Sequence, residues 1–282
     1  MTAALSSPEA APYGAPEPGR LLGPGDPPPV LLRAFGRRFP AVLACDHASR
    51  AVPRALGTLG LVDAQLARHI AWDIGAGALA EALARRLQVP LVSGGYSRLV
   101  IDCNRRLDDP TSIVDASDGD RVPGNLALSP ADRERRAGEI FAPYHAALAA
   151  ALAQIGEAAH VVPALVAIHS FTAVFGGRAR SWHCGILWDR DPRLALPLLA
   201  ALRAEPGLVV GDNEPYSGRH PADYTVDTHG ERHGRPHVCI EVRQDLLATA
   251  EGIALWADRL ARILAALLSD PTLYQALPAG AT

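Results

Sequence analysis

One stretch limits the possible folds more than any other: residues 161–171, VVPALVAIHSF. It is a short apolar run rich in Val, Leu and Ile, and it stops abruptly at His169, Ser170 and Phe171. A run this short and β-branched reads as a strand buried on both faces. Such strands belong in mainly parallel sheets whose two sides are covered by helices. Two other strand-like runs also end in chemistry-bearing residues: AVLACDH at His47 and PHVCIEVRQD at Glu241. In α/β sheets, ligands gather just beyond the carboxyl ends of the strands. The chain is therefore expected to bring these three strand ends around one site.

The rest of the chain fits that architecture. Residues 30–35 and 40–45 read as strands flanking a basic turn. Residues 62–87 carry a helical apolar stripe at Leu66, Ile70, Leu79, Leu83 and Leu87, interrupted by Gly75 and Gly77. The interruption predicts either a restart near Asp73 or the close approach of another backbone. PLVSGG and YSRLVIDCNR read as two further strands, and residues 108–128 as a long polar loop. Ser129-Pro130-Ala131-Asp132 is a helix start, with a capping Ser and Pro at the first turn. HCGILWD, GLVVGDN and HVCIEVRQDLL are later strands, Asp191-Pro192 caps a helix, and a closing helix spans about 246–268. Strands alternating with helices predict a single α/β domain, with a mostly parallel central sheet and helices on both faces.

Composition narrows the function. The chain has 282 residues, of which 49% are hydrophobic, so a sizeable core is available. A net charge of −3 and only 5% aromatic residues argue against a nucleic-acid or membrane-surface role. No run is long and charge-free enough to span a bilayer, and the N-terminus lacks the features of a signal peptide. The four cysteines form no CxxC pair; they are expected to be buried, reduced thiols of a cytoplasmic protein. Cys45, two residues before His47, is a conceivable ligand. Residues 1–29, rich in Pro, Gly and Ala, are expected to form a flexible arm, and 30–282 the domain.

A metal that polarises a carbonyl and acidifies water suits the hydrolysis of resistant amides. Catalytic zinc sites use three protein ligands and leave a position open, with a nearby carboxylate as base. His47, Asp73, His169 and Glu241 fit that plan. Each also has a plainer reading: a structural His at a strand end, Asp73 as a helix cap, Glu241 in an ion pair with Arg243 or Arg98. No HExxH or short-spaced ligand pair is present.

Several motifs in order carry a resemblance. CDHASRAVP, WDIGAGALAEALARRL, YSRLVIDCNR, IHSFTAVFGGRARSWHCGILWDRD, DNEPYSG and DTHGERHGRPHVCIEVRQDL together resemble the N-formylglutamate amidohydrolase family, from about residue 42 to 247. The resemblance implies a zinc-dependent hydrolase of linear amide bonds. The implied fold is that of the zinc carboxypeptidases and cell-wall amidases (phosphorylase/hydrolase-like). It implies Zn²⁺ on His47, Asp73 and His169, with Glu241 as general base. Asp46 rivals Asp73 as the carboxylate ligand; Asp73 is favoured because adjacent strand residues point to opposite faces. The nominal substrate, N-formyl-L-glutamate, bears two carboxylates and calls for arginine forks. Arg98, Arg105, Arg178 and Arg243 are the candidates. Asn104, Tyr216 and His229 are candidate donors to substrate or oxyanion, His229 in competition with His220, His233 and His237. Ala173 and Ser181 stand where the family pattern has Pro, so the loop after His169, which should shape the pocket, is expected to differ.

Two other readings stay open: an amidase for a different N-acyl amino acid or a peptidoglycan-type substrate, and a non-catalytic binder on the same fold. The expected partner is a small acyl amino acid, with no nucleic acid and no membrane. The acyl group, the metal in the cell and the oligomeric state are left open.

Overall fold

The computed structural model describes residues 19–219, 223–275 and 277. Its strands are β1 (Val30–Ala34), β2 (Ala41–Cys45), β3 (Pro90–Gly94), β4 (Ala116–Ser117), β5 (Asp120–Arg121), β6 (Ala164–Phe171), β7 (Val174–Phe175), β8 (Arg178–Ala179), β9 (Cys184–Leu187), β10 (Val210–Asp212) and β11 (His237–Arg243). The helices are α1 (Asp63–Leu66), α2 (Ala76–Leu87), α3 (Pro130–Arg136), α4 (Ala142–Ala159), α5 (Pro192–Arg203), α6 (Tyr224–His229) and α7 (Ala250–Leu267). Seven strands form the central sheet in the order β1-β3-β2-β6-β11-β9-β10. β3, β2, β6 and β11 are parallel to one another; β1 joins β3 and β9 joins β11 antiparallel, and β10 is parallel to β9. The expected single α/β domain with a mostly parallel sheet is the fold observed.

Alternation along each strand divides the core between the two faces of the sheet. On β2, Ala41, Leu43 and Cys45 pack with Leu79 and Leu83 of α2, Leu198 of α5 and Trp256 and Leu260 of α7. Val42 and Ala44 pack instead with Leu148 and Leu152 of α4. Ala164, Val166 and Ile168 of β6 and Val238, Ile240 and Val242 of β11 join the first face. His169 and Glu241 therefore point to the other. The parallel register makes these two residues direct cross-strand partners.

Two predicted elements differ. The helix expected over 62–87 is two pieces, α1 and α2, joined by turns. Gly75, at φ +82°, caps α2, and a Cβ there would come within 2.5 Å of the Leu247 side chain. A Cβ on Gly77 would sit 3.0 Å from the Ala48 carbonyl, so the glycines do allow another backbone to approach. The strand expected in YSRLVIDCNR is a series of turns. Local polar groups take its backbone bonds: the Leu99 N–H donates to Ser97 Oγ, Ser97 Oγ–H to the Ala71 carbonyl, and the Asn104 N–H to Asp102. Leu99, Val100 and Ile101 are buried all the same, so apolar content without a ladder misled the reading.

Of the N-terminal segment, residues 19–29 lie along the body. The N–H groups of Leu21 and Leu22 donate to the Glu139 carboxylate at 2.8 and 3.0 Å, and Leu21 is buried. Residues 1–18 of the expected arm lie outside the described residues. The helix signalled at Ser129 begins there, its Oγ accepting from the Asp132 N–H. It continues through a π turn, Ala137–Phe141, into α4.

Gly75→Ala combines a left-handed backbone with a close contact against Leu247. It is expected to lower unfolding stability by about 2 kcal/mol or more, read from the urea midpoint. An unchanged midpoint would contradict the role given to this turn.

Candidate active site

His47 lies just past β2, on the turn that leads out of the sheet; Asp73 lies in the turn before α2. The Asp73 N–H donates to the His47 carbonyl at 3.0 Å, which ties the two turns together. His169 comes from β6. Its Nδ1 lies 2.8 Å from Asp73 Oδ2, and His47 Nδ1 lies 3.4 Å from the same oxygen. The two rings meet edge to face at 5.1 Å. One donor atom from each of His47, Asp73 and His169 lies within 4.8 Å of the others, and all three residues are buried.

The far nitrogens are held as well. His47 Nε2 is 2.7 Å from Asp102 Oδ1, and His169 Nε2 is 3.1 Å from Asp46 Oδ2. With Nε2–H given to the outer carboxylate, a protonated ring donates its Nδ1–H to Asp73, and a neutral ring would offer its Nδ1 lone pair to a cation beside Asp73. This is the arrangement that metal-ligating histidines usually adopt, with the outer nitrogen fixed by an acid. It also separates the two candidate carboxylates: Asp73 lies among the inner nitrogens, Asp46 behind His169. Asp46 is anchored further by Thr225, whose Oγ1–H donates to Oδ1 at 2.5 Å. Arg98 braces two of the acids, donating to Asp73 at 3.4 Å and to Asp102 at 2.8 Å.

Electrostatics follow from this packing. Burial opposes charge on every member. Asp46 is nonetheless drawn down to about 2, because His169 donates to it and its charge and that of His47 lie close by. Asp73 and Asp102 are likewise held below the ordinary range, Asp73 by both histidines and Asp102 chiefly by Arg98 and His47. Against burial and, for His47, the charge of Arg98, the acids hold both imidazoles above their usual value. Glu241 behaves differently. Burial, reinforced by the charges of Asp73 and Asp223, pushes it up to about 8. Its Oε2 is buried without a hydrogen-bond partner among the described residues.

A cavity of about 220 Å³ opens on this group, bordered by His47, Asp73, His169 and Glu241 together with Arg98, Asn104, Arg105 and Tyr216. Ser170, Ser217 and Asp223 also border it, none of them singled out from the sequence. Three sequence candidates lie elsewhere. Arg178 is exposed on the β7–β8 hairpin. Arg243, the last residue of β11, donates to Asp245 and to the carbonyls of Arg180 and Trp182. His229 is buried behind the cavity, stacked on His145, with Nε2 2.9 Å from His145 Nδ1. His237 hydrogen-bonds the Arg235 carbonyl, and His220 lies outside the described residues. Cys45 is buried on the opposite face of the sheet, in the core under α2.

The sequence model of the N-formylglutamate amidohydrolase family matches residues 39–248, about three quarters of the chain. The chain belongs to this family. Among solved structures, the gene product Atu2144 from Agrobacterium tumefaciens superposes with a TM-score of 0.84 at 35% identity, covering 89% of this chain and 98% of that one. An N-formylglutamate amidohydrolase from Ralstonia eutropha JMP134 superposes with a TM-score of 0.63 at 24% identity, covering 85% and 97%, and shares the fold. No curated protein matches the chain. In this member of the N-formylglutamate amidohydrolase family, the donor set of two imidazoles and a carboxylate fits a divalent cation. Two outer acids orient the imidazoles, and a carboxylate stands beside them. Asp102 is the main participant that sequence reasoning missed; it was visible in YSRLVIDCNR, but its contact with His47 across 55 positions was not.

The pH dependence of the metal-stripped protein follows from these shifts. The raised His47, His169 and Glu241 favour folding below their unfolded values, and that advantage is lost as pH rises through the folded ones. The lowered Asp46, Asp73 and Asp102 favour folding above about pH 4, and that advantage is lost as pH falls. Burial also holds His145 and His229 below the usual imidazole value, so their contribution is present above about pH 6.5 and is lost as pH falls. Above about pH 7 only the raised groups still titrate, so calorimetry in chelator is expected to show the melting temperature declining from about pH 7 to about pH 8. A melting temperature that climbs from about pH 7 to about pH 8 would contradict this charge pattern.

Proposed function

We propose that the chain is a metal-dependent amidohydrolase that cleaves the amide bond of an N-acyl amino acid, N-formyl-L-glutamate being the compound for which its family is named. The observation that carries this reading is the buried His47–Asp73–His169 trio with Glu241 on a neighbouring strand, its Oε2 without a partner among the described residues, all opening on one cavity. Zn²⁺ is the cation we favour, and such a donor set also accepts Co²⁺ or Ni²⁺. A cation held by these three residues polarises a carbonyl and makes a water more acidic.

The chain's own residues supply the rest. Glu241, as carboxylate, takes a proton from the water that attacks the acyl carbon, and gives a proton to the departing nitrogen. One C–O bond forms and one C–N bond breaks; N-formylglutamate yields formate and glutamate. Asp46 and Asp102 hold His169 and His47 in the orientation that keeps Nδ1 inward. Asn104 accepts from the Thr225 N–H with its amide oxygen, so its amide nitrogen is left to donate to substrate or oxyanion. The Tyr216 hydroxyl, bonded to Arg180 at 3.0 Å, is a second donor at the cavity edge. Arg105 takes a substrate carboxylate, whereas Arg98 is already committed to Asp73 and Asp102. The free, buried cysteines are in keeping with a cytoplasmic setting. Among the described residues, no helix is long and apolar enough to cross a membrane.

Glu241→Gln keeps the shape of the site and removes the base. It is expected to retain the metal, measured by plasma emission spectroscopy, while losing about 10²-fold or more in kcat. Activity that survives this change, or a wild-type protein that is active after chelation, would overturn the proposal.

A further inference from the structure

Arg98, Arg105 and Tyr216 border both the cavity at the trio and a second chamber, which Asp102 borders on its outer side alone. The inner space is about 220 Å³ and the outer about 280 Å³. Ile70, Leu99, Val114 and Phe175 give the outer chamber an apolar side.

Its charged groups are matched within the protein. Arg98 donates to Asp73 and Asp102. Asp118, on the outer rim, pairs with Arg68 at 2.6 Å. Burial keeps His69 below its ordinary pKa and so favours its uncharged form. Arg105 is the exception. It borders both chambers, its nearest carboxylate is Asp223 at 3.7 Å, and its guanidinium makes no hydrogen bond among the described residues. Arg180, stacked against Phe171, Phe175 and Tyr216, borders neither space.

We infer that the outer chamber is the side-chain pocket for the leaving amino acid, and that it takes a large uncharged side chain, aromatic or long aliphatic, while Arg105 at the boundary takes the α-carboxylate. This rests on the amidohydrolase reading above. One guanidinium with a single long ion pair and no hydrogen bond among the described residues serves one carboxylate. A second carboxylate placed in the outer chamber meets Asp102, Asp118 and an apolar side, and finds only the neutral hydroxyls of Thr111, Ser117 and Tyr216 in exchange for its hydration, with no second cation free of hydrogen bonds. An aromatic ring covers that apolar side and loses little.

The test compares N-formyl-L-phenylalanine with N-formyl-L-glutamate on the zinc-loaded protein. The phenylalanine compound is expected to have the higher kcat/KM by about tenfold or more, and Val114→Trp, which narrows the chamber, to shrink that ratio by a similar factor. Calorimetric binding of both compounds to zinc-loaded Glu241→Gln reads the chamber without turnover and should show the same order of affinity. Equal or reversed preference in the wild-type kinetics and in the binding overturns the inference. If neither compound is hydrolysed, the amidohydrolase reading fails for them, and the binding order alone decides the chamber.

Discussion

Two hydrogen bonds hold this site in shape: His47 Nε2 to Asp102 and His169 Nε2 to Asp46. Each fixes an imidazole plane and sends the other nitrogen toward Asp73. The sheet makes this possible. β6 and β11 are adjacent and parallel, so His169 and Glu241 stand side by side on one face, while the opposite face is filled by α2, α5 and α7. The turns after β2 and before α2 then need only a short reach to add His47 and Asp73. Thr225 on α6 and Arg98 in the turns after β3 close the ring from outside by anchoring Asp46 and Asp102.

The cluster is electrostatically incomplete. Asp46, Asp73, Asp102 and Glu241 are all buried, and among their close partners Arg98 is the permanent cation. Without a further positive charge, the imbalance is met by holding protons on the two histidines and on Glu241, the direction in which all three are shifted. A divalent cation among the inner nitrogens would replace those protons and free Glu241 to act as a base. The buried acids and imidazoles that crowd here are the residue types a hydrolytic site needs.

Much of this was legible in the sequence, for specific reasons. VVPALVAIHSF and HVCIEVR announce themselves as buried strands, so the strand ends with His169 and Glu241 were found by pattern alone. Ser129 and Asp191 carry cap chemistry that the structure repeats, each accepting from a backbone N–H of the first turn. What failed was what depends on contacts between distant segments. Asp102 lies in a run whose apolar residues imitate a strand, although Ser97 and Asp102 themselves divert the backbone into turns. Arg243 shares a strand with Glu241, yet it lies past the last pairing with β9 and turns to loop carbonyls. His229 reads as a donor to substrate in a polar loop, but α6 buries it against His145. Period and propensity do not encode where a loop side chain is spent.

The central claim is that two imidazoles and the carboxylate of Asp73 converge on one cation, oriented from behind by Asp46 and Asp102. X-ray absorption at the zinc edge on the zinc-loaded protein tests it directly. The account predicts a first shell of nitrogen and oxygen only, with outer-shell scattering from about two imidazole rings at Zn–N distances of about 2.0–2.1 Å. A sulfur scatterer at about 2.3 Å, as Cys45 would give, or a shell without imidazole, would contradict it.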